Sequence, residues 1–363
     1  MPATPLRRVL TTGLAALAAI GLAAGCSRAQ ESSSSNAPAA NASPAAELRL
    51  GYFPNITHAP ALIGVAQNYF AQELGTGTKL TTQTFNAGPD EVNAILGGSL
   101  DAGFIGSSPA INAFAKSNGE AVRLISGSTS AGAQLVTTPD ITTPEQLKGK
   151  TIATPQAGNT QDVALKKWLK QNNLEIGAGP DKVTVQNIDN SKTLDLFKTG
   201  QVAGGWLPEP WSSRLVDAGA KVLVDEKSLW PGGQFPTTVL IVRTDFLNQH
   251  PQTVEALLRG TQKAVDFATS TPDQAKKITN DSIKQITNSA LAQPVLDRAF
   301  TELNFDTDPL AATFPQLSKD SVTAGATQKE TDLHGFVDVT PLNTVRQAEG
   351  KPPVDAAGLD KKG

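Results

Sequence analysis

The sequence predicts an α/β protein of two lobes facing a shared cleft, and three observations carry that prediction. Apolar strand-like runs alternate with helical ones until Pro251, after which the chain reads as mostly helical. That pattern suits parallel-rich sheets flanked by helices. The second observation is the junction Gly98-Ser99-Leu100-Asp101-Ala102-Gly103-Phe104-Ile105-Gly106-Ser107-Ser108-Pro109, a short apolar strand that stops at a helix start. Gly106 lets the backbone turn, Ser107 or Ser108 suits a cap, and Pro109 suits the first helical position. Free N–H groups and the positive end of a helix dipole then converge where an anion can sit. The third is repetition. Gly200-Gln201-Val202-Ala203-Gly204-Gly205-Trp206-Leu207-Pro208-Glu209-Pro210 repeats the spacing about 100 residues later, again after a helix and before a helix and strand. Two related units imply two lobes, each offering a loop to the cleft.

The elements follow in order. Residues 47–52 alternate into a strand, and Phe53-Pro54-Asn55-Ile56-Thr57-His58-Ala59-Pro60 forms the loop and helix start after it. Residues 61–70 have helical spacing, 80–85 read as a strand, and Asn86-Ala87-Gly88-Pro89 turns into a helix at 90–96 with acidic residues in its first turn. Strands at 122–126 and 134–138 flank the small-residue run 127–132. Residues 151–154 form a β-branched strand, and Pro155-Gln156-Ala157-Gly158-Asn159-Thr160 leads into a helical run at 161–171. Strands at 183–187, 221–224 and 237–243 precede expected helices at 252–270, 272–279, 281–289, 292–303 and 321–334.

The 363 residues suffice for two domains, and a formal charge of −3 steers nothing toward nucleic acid. Arg7 and Arg8 precede an apolar run at 9–24, too short for a comfortable membrane span and typical of a secretory signal. Cys26 is the only cysteine, which excludes an internal disulfide and any multi-cysteine metal site. Leu22-Ala23-Ala24-Gly25-Cys26 resembles a bacterial lipobox, in which the cysteine is lipidated and becomes the mature N-terminus. The expected organisation is a lipoprotein signal peptide at 1–26 and a disordered Ser/Ala/Asn/Pro tether at 27–46. A discontinuous lobe one at 47–141 and 237–347, lobe two at 142–236, and a polar tail at 348–363 complete it.

Catalysis has little to work with. No Walker motif, His-Glu-x-x-His or Gly-x-Ser-x-Gly occurs, and of three histidines only His58 lies at the expected cleft. We therefore expect no catalytic residues, no metal site and no cofactor. The cleft loops at 51–64, 86–109, 127–138, 154–165 and 204–213 contain no Lys or Arg, so neutral donors and helix starts would hold an anion. The ligand-binding residues expected on this basis are Asn55, His58, Ser107, Ser108, Gly132, Gln134, Asn159, Thr160, Gln161, Glu209 and Trp211. Glu209, lying between two prolines, is the expected partner of a ligand amine, and Trp211 an apolar wall.

Phe85-Asn86-Ala87-Gly88-Pro89, Gly98-Ser99-Leu100-Asp101, Leu147-Lys148-Gly149-Lys150-Thr151-Ile152-Ala153, Gly158-Asn159-Thr160, Glu209-Pro210-Trp211 and residues 246–250 before Pro251 occur in an order that resembles the substrate-binding lipoproteins of ABC importers for aliphatic sulfonates, taurine and nitrate. The resemblance covers about 48–347. It implies a two-lobed periplasmic binding protein-like (type II) fold with a hinge, trapping one small organic anion. It further implies a monomer that delivers its ligand to a permease driven by a separate ATPase, lipid-anchored at the outer face of the cell membrane. The expected ligand is an aliphatic sulfonate or a taurine-like amino-sulfonate, with nitrate or a thiamine-precursor pyrimidine as the alternative ligand and a secreted enzyme on the same fold as the alternative class.

Overall fold

The computed structural model describes residues 43–360. The signal peptide, Cys26 and residues 27–42 of the tether lie outside the described residues. Eleven strands, β1 (Glu47–Tyr52), β2 (Lys79–Thr84), β3 (Ala102–Ile105), β4 (Val122–Ala131), β5 (Ala133–Thr137), β6 (Thr151–Thr154), β7 (Thr184–Asn187), β8 (Gly204–Pro208), β9 (Lys221–Asp225), β10 (Pro236–Arg243) and β11 (Leu303–Phe305), build two sheets within one compact unit. The first runs β11-β4-β10-β3-β1-β2 and the second β7-β6-β8-β5-β9.

The two sheets share one plan. In each, three parallel strands occur in the order second, first, third, followed by an antiparallel strand and then the fourth. Leu50 pairs with Ala102 in the first sheet, and Ile152 with Gly204 in the second, so both strands repeat after 102 residues (152 less 50, 204 less 102). Helices Gly88–Leu96 and Asn190–Lys198 obey the same interval. The antiparallel strand beside the three parallel ones comes, in each sheet, from the crossing between lobes: β5 enters the second sheet and β10 returns to the first, where β11 adds a further antiparallel edge strand.

This moves the expected boundary. Residues 133–137 belong to the second sheet, so the outward crossing lies at Ala131-Gly132 and not near 141. Both crossing residues have positive φ, 63° at Ala131 and 70° at Gly132, which makes this turn a natural place for Gly. The return crossing, 226–235, consists of short turns at Glu226–Leu229 and Pro231–Gly233.

The core follows the sheets. β10 reads Pro-Thr-Thr-Val-Leu-Ile-Val-Arg and is buried along nearly its whole length, as a central strand covered on both faces should be. Residues 251–348 cover the first sheet with helices Pro251–Ser270, Pro272–Thr287, Gln293–Thr301, Phe314–Thr323 and Thr340–Ala348. The expected break at 280 is absent, and 321–334 is not one helix, because the helix that begins at Phe314 ends at Thr323 and the chain then turns at Gly325 with φ 74°. The described part of the expected polar tail at 348–363 packs on the fold. Val354 and Leu359 are buried in the first core, and the Leu359 carbonyl accepts the Gly335 N–H at 2.8 Å. At the other end Ala45 is buried, and its N–H donates to Thr253 Oγ1 at 2.9 Å, so the last tether residues are part of the fold. Among the described residues no helix is long and apolar enough to cross a membrane.

Candidate functional site

At the ends of β1, β3, β6 and β8 the chain turns toward the other lobe. After β1, Asn55 sits in extended conformation before the 3₁₀ turn Ile56–His58, which runs into helix Ala59–Ala66. Thr57 Oγ1 donates to Asn55 Oδ1 at 2.6 Å, fixing the amide of Asn55. The Phe53 N–H donates to His58 Nδ1 at 3.2 Å, and the two rings stack with centroids 4.3 Å apart. Burial pushes the His58 pKa down to about 3, so the ring is neutral and its single proton belongs on Nε2, the nitrogen not already accepting.

Across the cleft, Asp162 shapes the second-lobe loop. It accepts from Thr154 Oγ1 and Asn187 Nδ2, both at 2.9 Å, from the Gly158 N–H at 2.9 Å, and from Lys166 at 2.7 Å. Its role is to hold the loop before helix Thr160–Gln171, and none of its bonds reaches the other lobe. Asn159 and Thr160, held in this way, do reach across. Asn159 Oδ1 accepts the Gly88 N–H at 3.3 Å and Thr160 Oγ1 accepts the Ser108 N–H at 3.4 Å. At the rim Gln156 donates to Asp90 at 2.8 Å. Gly106 permits this approach, since a Cβ there would lie 2.8 Å from Thr160 Oγ1.

Between these groups lies a cavity of about 30 Å³ lined by Phe53, Asn55, Thr57, His58, Asn86, Gly106, Pro155, Asn159, Thr160, Gln161, Asn190, Pro208 and Thr237. None of these side chains is charged. Amides, hydroxyls and the His58 Nε2–H offer neutral donors, with the N-termini of helices Gly88–Leu96, Ser107–Lys116 and Thr160–Gln171 close by. The lining contains no carboxylate to hold an amine and no pair of groups suited to acid, base or nucleophilic work. Among the described residues no cluster of three metal-ligating side chains occurs.

Of the expected residues, Asn55, His58, Asn159, Thr160 and Gln161 line this cavity. Ser107 and Ser108 are buried in the first turn of their helix, but neither side chain caps it. Gly106 is the N-cap, and both hydroxyls lack a protein partner. Gly132, Gln134, Glu209 and Trp211 stand elsewhere. Glu209 is fully buried with Oε1 taking Arg298 Nη1 at 3.0 Å and Oε2 taking the Ser213 N–H at 3.2 Å, so its oxygens are already engaged. Burial pushes its carboxyl up, while Ser213, Ser212 and Arg298 pull it back. Gln134 accepts from Arg298 Nη2 at 2.6 Å. Trp211 packs on the second-lobe core with the Arg214 guanidinium 4.7 Å from its ring centre, and it is not among the residues lining this cavity.

Asn86, Asn190 and Thr237 also line the cavity, and none of the three is among the ligand-binding residues expected from the sequence. Asn190 opens the helix that repeats Gly88–Leu96, and the 102-residue interval would have found it. Its buried Oδ1 has no partner. Thr237 lies on the returning strand β10, a position visible only once the crossing is known.

Residues 41–281 match the NMT1-like family. Over 217 residues the chain is 29% identical to the taurine-binding periplasmic protein of Escherichia coli (strain K12), an alignment covering 59% of this chain and 64% of that protein. The chain therefore spans slightly under two thirds of that relative. It is 27% identical over 291 residues to the bicarbonate-binding protein CmpA of Synechococcus elongatus, covering 69% of this chain and 60% of CmpA. Among solved structures, the alkanesulfonate-binding protein SsuA of Xanthomonas axonopodis pv. citri superposes with a TM-score of 0.65 at 19% identity, covering 82% of this chain and 99% of SsuA. The nitrate-binding protein NrtA of Synechocystis PCC 6803 gives 0.69 at 14% identity, covering 85% and 90%. The shared sheet plan and these superpositions make the fold that of the periplasmic binding proteins, and the chain belongs to the NMT1-like family.

Proposed function

We propose that the protein is the extracytoplasmic substrate-binding component of an ABC importer, a monomer that captures a small anion between its lobes and hands it to a permease with its ATPase. The observation that carries this reading is the interlobe cavity, lined by neutral donors and helix starts with no charged side chain. Such a site suits an anion that keeps its charge without a proton partner, as a sulfonate does. An aliphatic sulfonate is the first ligand class. The names of the taurine- and alkanesulfonate-binding relatives support it. A taurine-like amino-sulfonate ranks behind it, because the one carboxylate expected to meet an ammonium, Glu209, is bonded to Arg298 and Ser213. A compact oxyanion such as nitrate is the second reading, favoured by a cavity with room for only a few non-hydrogen atoms. Trp206, Trp211 and Trp230 all stand outside the cavity lining, which disfavours a pyrimidine.

Calorimetry with ethanesulfonate, taurine, nitrate and thiamine-precursor pyrimidine tests the proposal. Binding of ethanesulfonate or nitrate, with little dependence on salt, supports it. Binding of the pyrimidine alone overturns it. We further propose that Cys26 is lipidated and holds the protein at the outer face of the membrane. Cys26→Ala should move it from the membrane to the soluble fraction, and unchanged fractionation would refute the anchor.

A further inference from the structure

Helix Thr160–Gln171, which opens at the cavity, packs on two sides. Leu165, Trp168 and Leu169 belong to the second-sheet core and fix the helix in its own lobe. Thr160 lines the cavity, and Val163, Ala164 and Lys167 continue the same helical face down a narrow seam between the lobes. The opposite wall of that seam is formed by Leu317 and Asp320 of helix Phe314–Thr323, whose Phe314 and Leu317 belong to the first-sheet core.

The seam holds an ion pair between the lobes. Lys167 Nζ lies 3.4 Å from Asp320 Oδ2, the side chains being 12% and 7% exposed, and Gln316 Nε2 donates to Asp320 Oδ1 at 2.8 Å. Lys167 Nζ also stands 5.8 Å from the centre of the Trp230 ring, in the return crossing. Glu226 lines the seam as well, but its Oε2 takes Trp206 Nε1 at 2.7 Å, and the ion-pair partner of Lys167 is Asp320. One turn further, Lys170 Nζ donates to the Thr323 carbonyl, joining the same two helices again.

A nearly buried pair adds little by attraction alone, because drawing both charges out of water costs about as much as their attraction returns. Its leverage is mismatch, since either charge left alone in the seam is strongly unfavourable. We infer that Lys167 and Asp320 are the matched charges on which closing of the lobes depends, and that they sustain a closed population even in the empty protein. Lys167 is a positioning residue. It is absent from the cavity lining and acts through its helix, whose first turn meets the Ser108 N–H while its later turns seat on Phe314–Thr323. That role presupposes two lobes that part, as proposed above, but not which anion they capture.

Asn93 and Lys192 are exposed positions on helices Gly88–Leu96 and Asn190–Lys198, one in each lobe. In the full chain carrying Cys26→Ser, Asn93→Cys and Lys192→Cys are spin-labelled, and the distance distribution is measured by electron spin resonance with no ligand added. With Lys167 and Asp320 intact, a short-distance closed population should stand beside a longer open one. Lys167→Met keeps an apolar side chain against Trp230 but strands Asp320, and should lower the closed-to-open ratio about tenfold or more. Adding Asp320→Asn should restore the ratio, and Lys167→Arg alone should preserve it. A merely structural role for Lys167 would leave the double variant as open as Lys167→Met, and that result would overturn the inference. An unchanged ratio in Lys167→Met, or no closed population with both residues intact, would overturn it too. Since no ligand enters the measurement, its outcome is separate from the fate of the sulfonate assignment.

Discussion

His58 makes a measurable claim about stability against pH. The ring is buried, its Nδ1 is occupied by the Phe53 N–H, and burial holds its pKa at about 3 against 6.5 for a free histidine. In the unfolded chain the ring takes a proton below 6.5, while in the native protein it does not until about pH 3. The contribution is therefore complete above pH 6.5 and is lost progressively as pH falls toward 3. Each unit corresponds to about 1.36 kcal/mol, so between pH 8 and pH 5 His58 should cost the native state about 2 kcal/mol. His58→Asn removes the titration and keeps an acceptor near the Phe53 N–H. Urea unfolding of both proteins at pH 8 and pH 5 should show wild type losing about 2 kcal/mol more than the variant across that interval. The constant cost of losing the ring stack on Phe53 cancels in this difference. So do the raised carboxyls of Glu91 and Glu226, which are present in both proteins and act in the opposite direction. Parallel profiles would refute both the burial and the neutral tautomer, and with them the Nε2–H as a donor to the cavity.

Three further outcomes are expected. Thr160→Val removes the hydroxyl that meets the Ser108 N–H across the cleft, and should weaken binding of ethanesulfonate by roughly 1 to 3 kcal/mol in calorimetry. Burial pushes Glu226 up to about 7, so its native-state contribution is intact below the ordinary carboxylate value of 4.5 and is lost as pH rises through 7. Glu226→Gln, which keeps an acceptor for Trp206 Nε1, should gain on wild type by up to about 3 kcal/mol between pH 4.5 and pH 8 in urea unfolding. Leu359→Ala should cost about 2 kcal/mol or more, because the side chain is buried in the first core. A loss near zero would restore the tail to the loose segment its composition suggests.

What was legible in the sequence was local. Strand ends marked by Gly106 and Pro155, helix starts at Thr160 and Ala59, and the interval between the two Gly-rich junctions are short-range patterns, and they located five of the cavity's residues. Cap chemistry was less legible. Ser107 and Ser108 have the right residue type for a cap, but Gly106 takes the N-cap position, so the serine hydroxyls are left facing inward. Glu209 misled for a different reason. A carboxylate between two prolines has no partner within its own segment, and its partner Arg298 lies 89 residues further on. No periodicity within a helix reveals which residue of another lobe it will meet.

The same limit explains the misplaced boundary, and it bears on how the cleft works. Residues 133–137 lie next in sequence to β4, and nothing in their composition assigns them to one sheet or the other. Pairing decides it. The antiparallel strand beside each set of three parallel strands comes from a crossing, so β5 is paired on both edges in the second sheet and β10 on both edges in the first. Strands held on both edges cannot slide without breaking two ladders, which leaves rotation at the short connections as the available motion. Gly132, with its positive φ and its close approach to Leu303, is where that rotation is sterically most confined. The cavity lies at the same C-terminal ends of the parallel strands as both crossings: Pro208, which lines it, pairs with Ala133, and Thr237, which also lines it, follows the return crossing at the start of β10. On the proposed function, opening of the cleft would break the Gly88–Asn159 and Ser108–Thr160 hydrogen bonds and free two helix N-terminal N–H groups for an incoming anion.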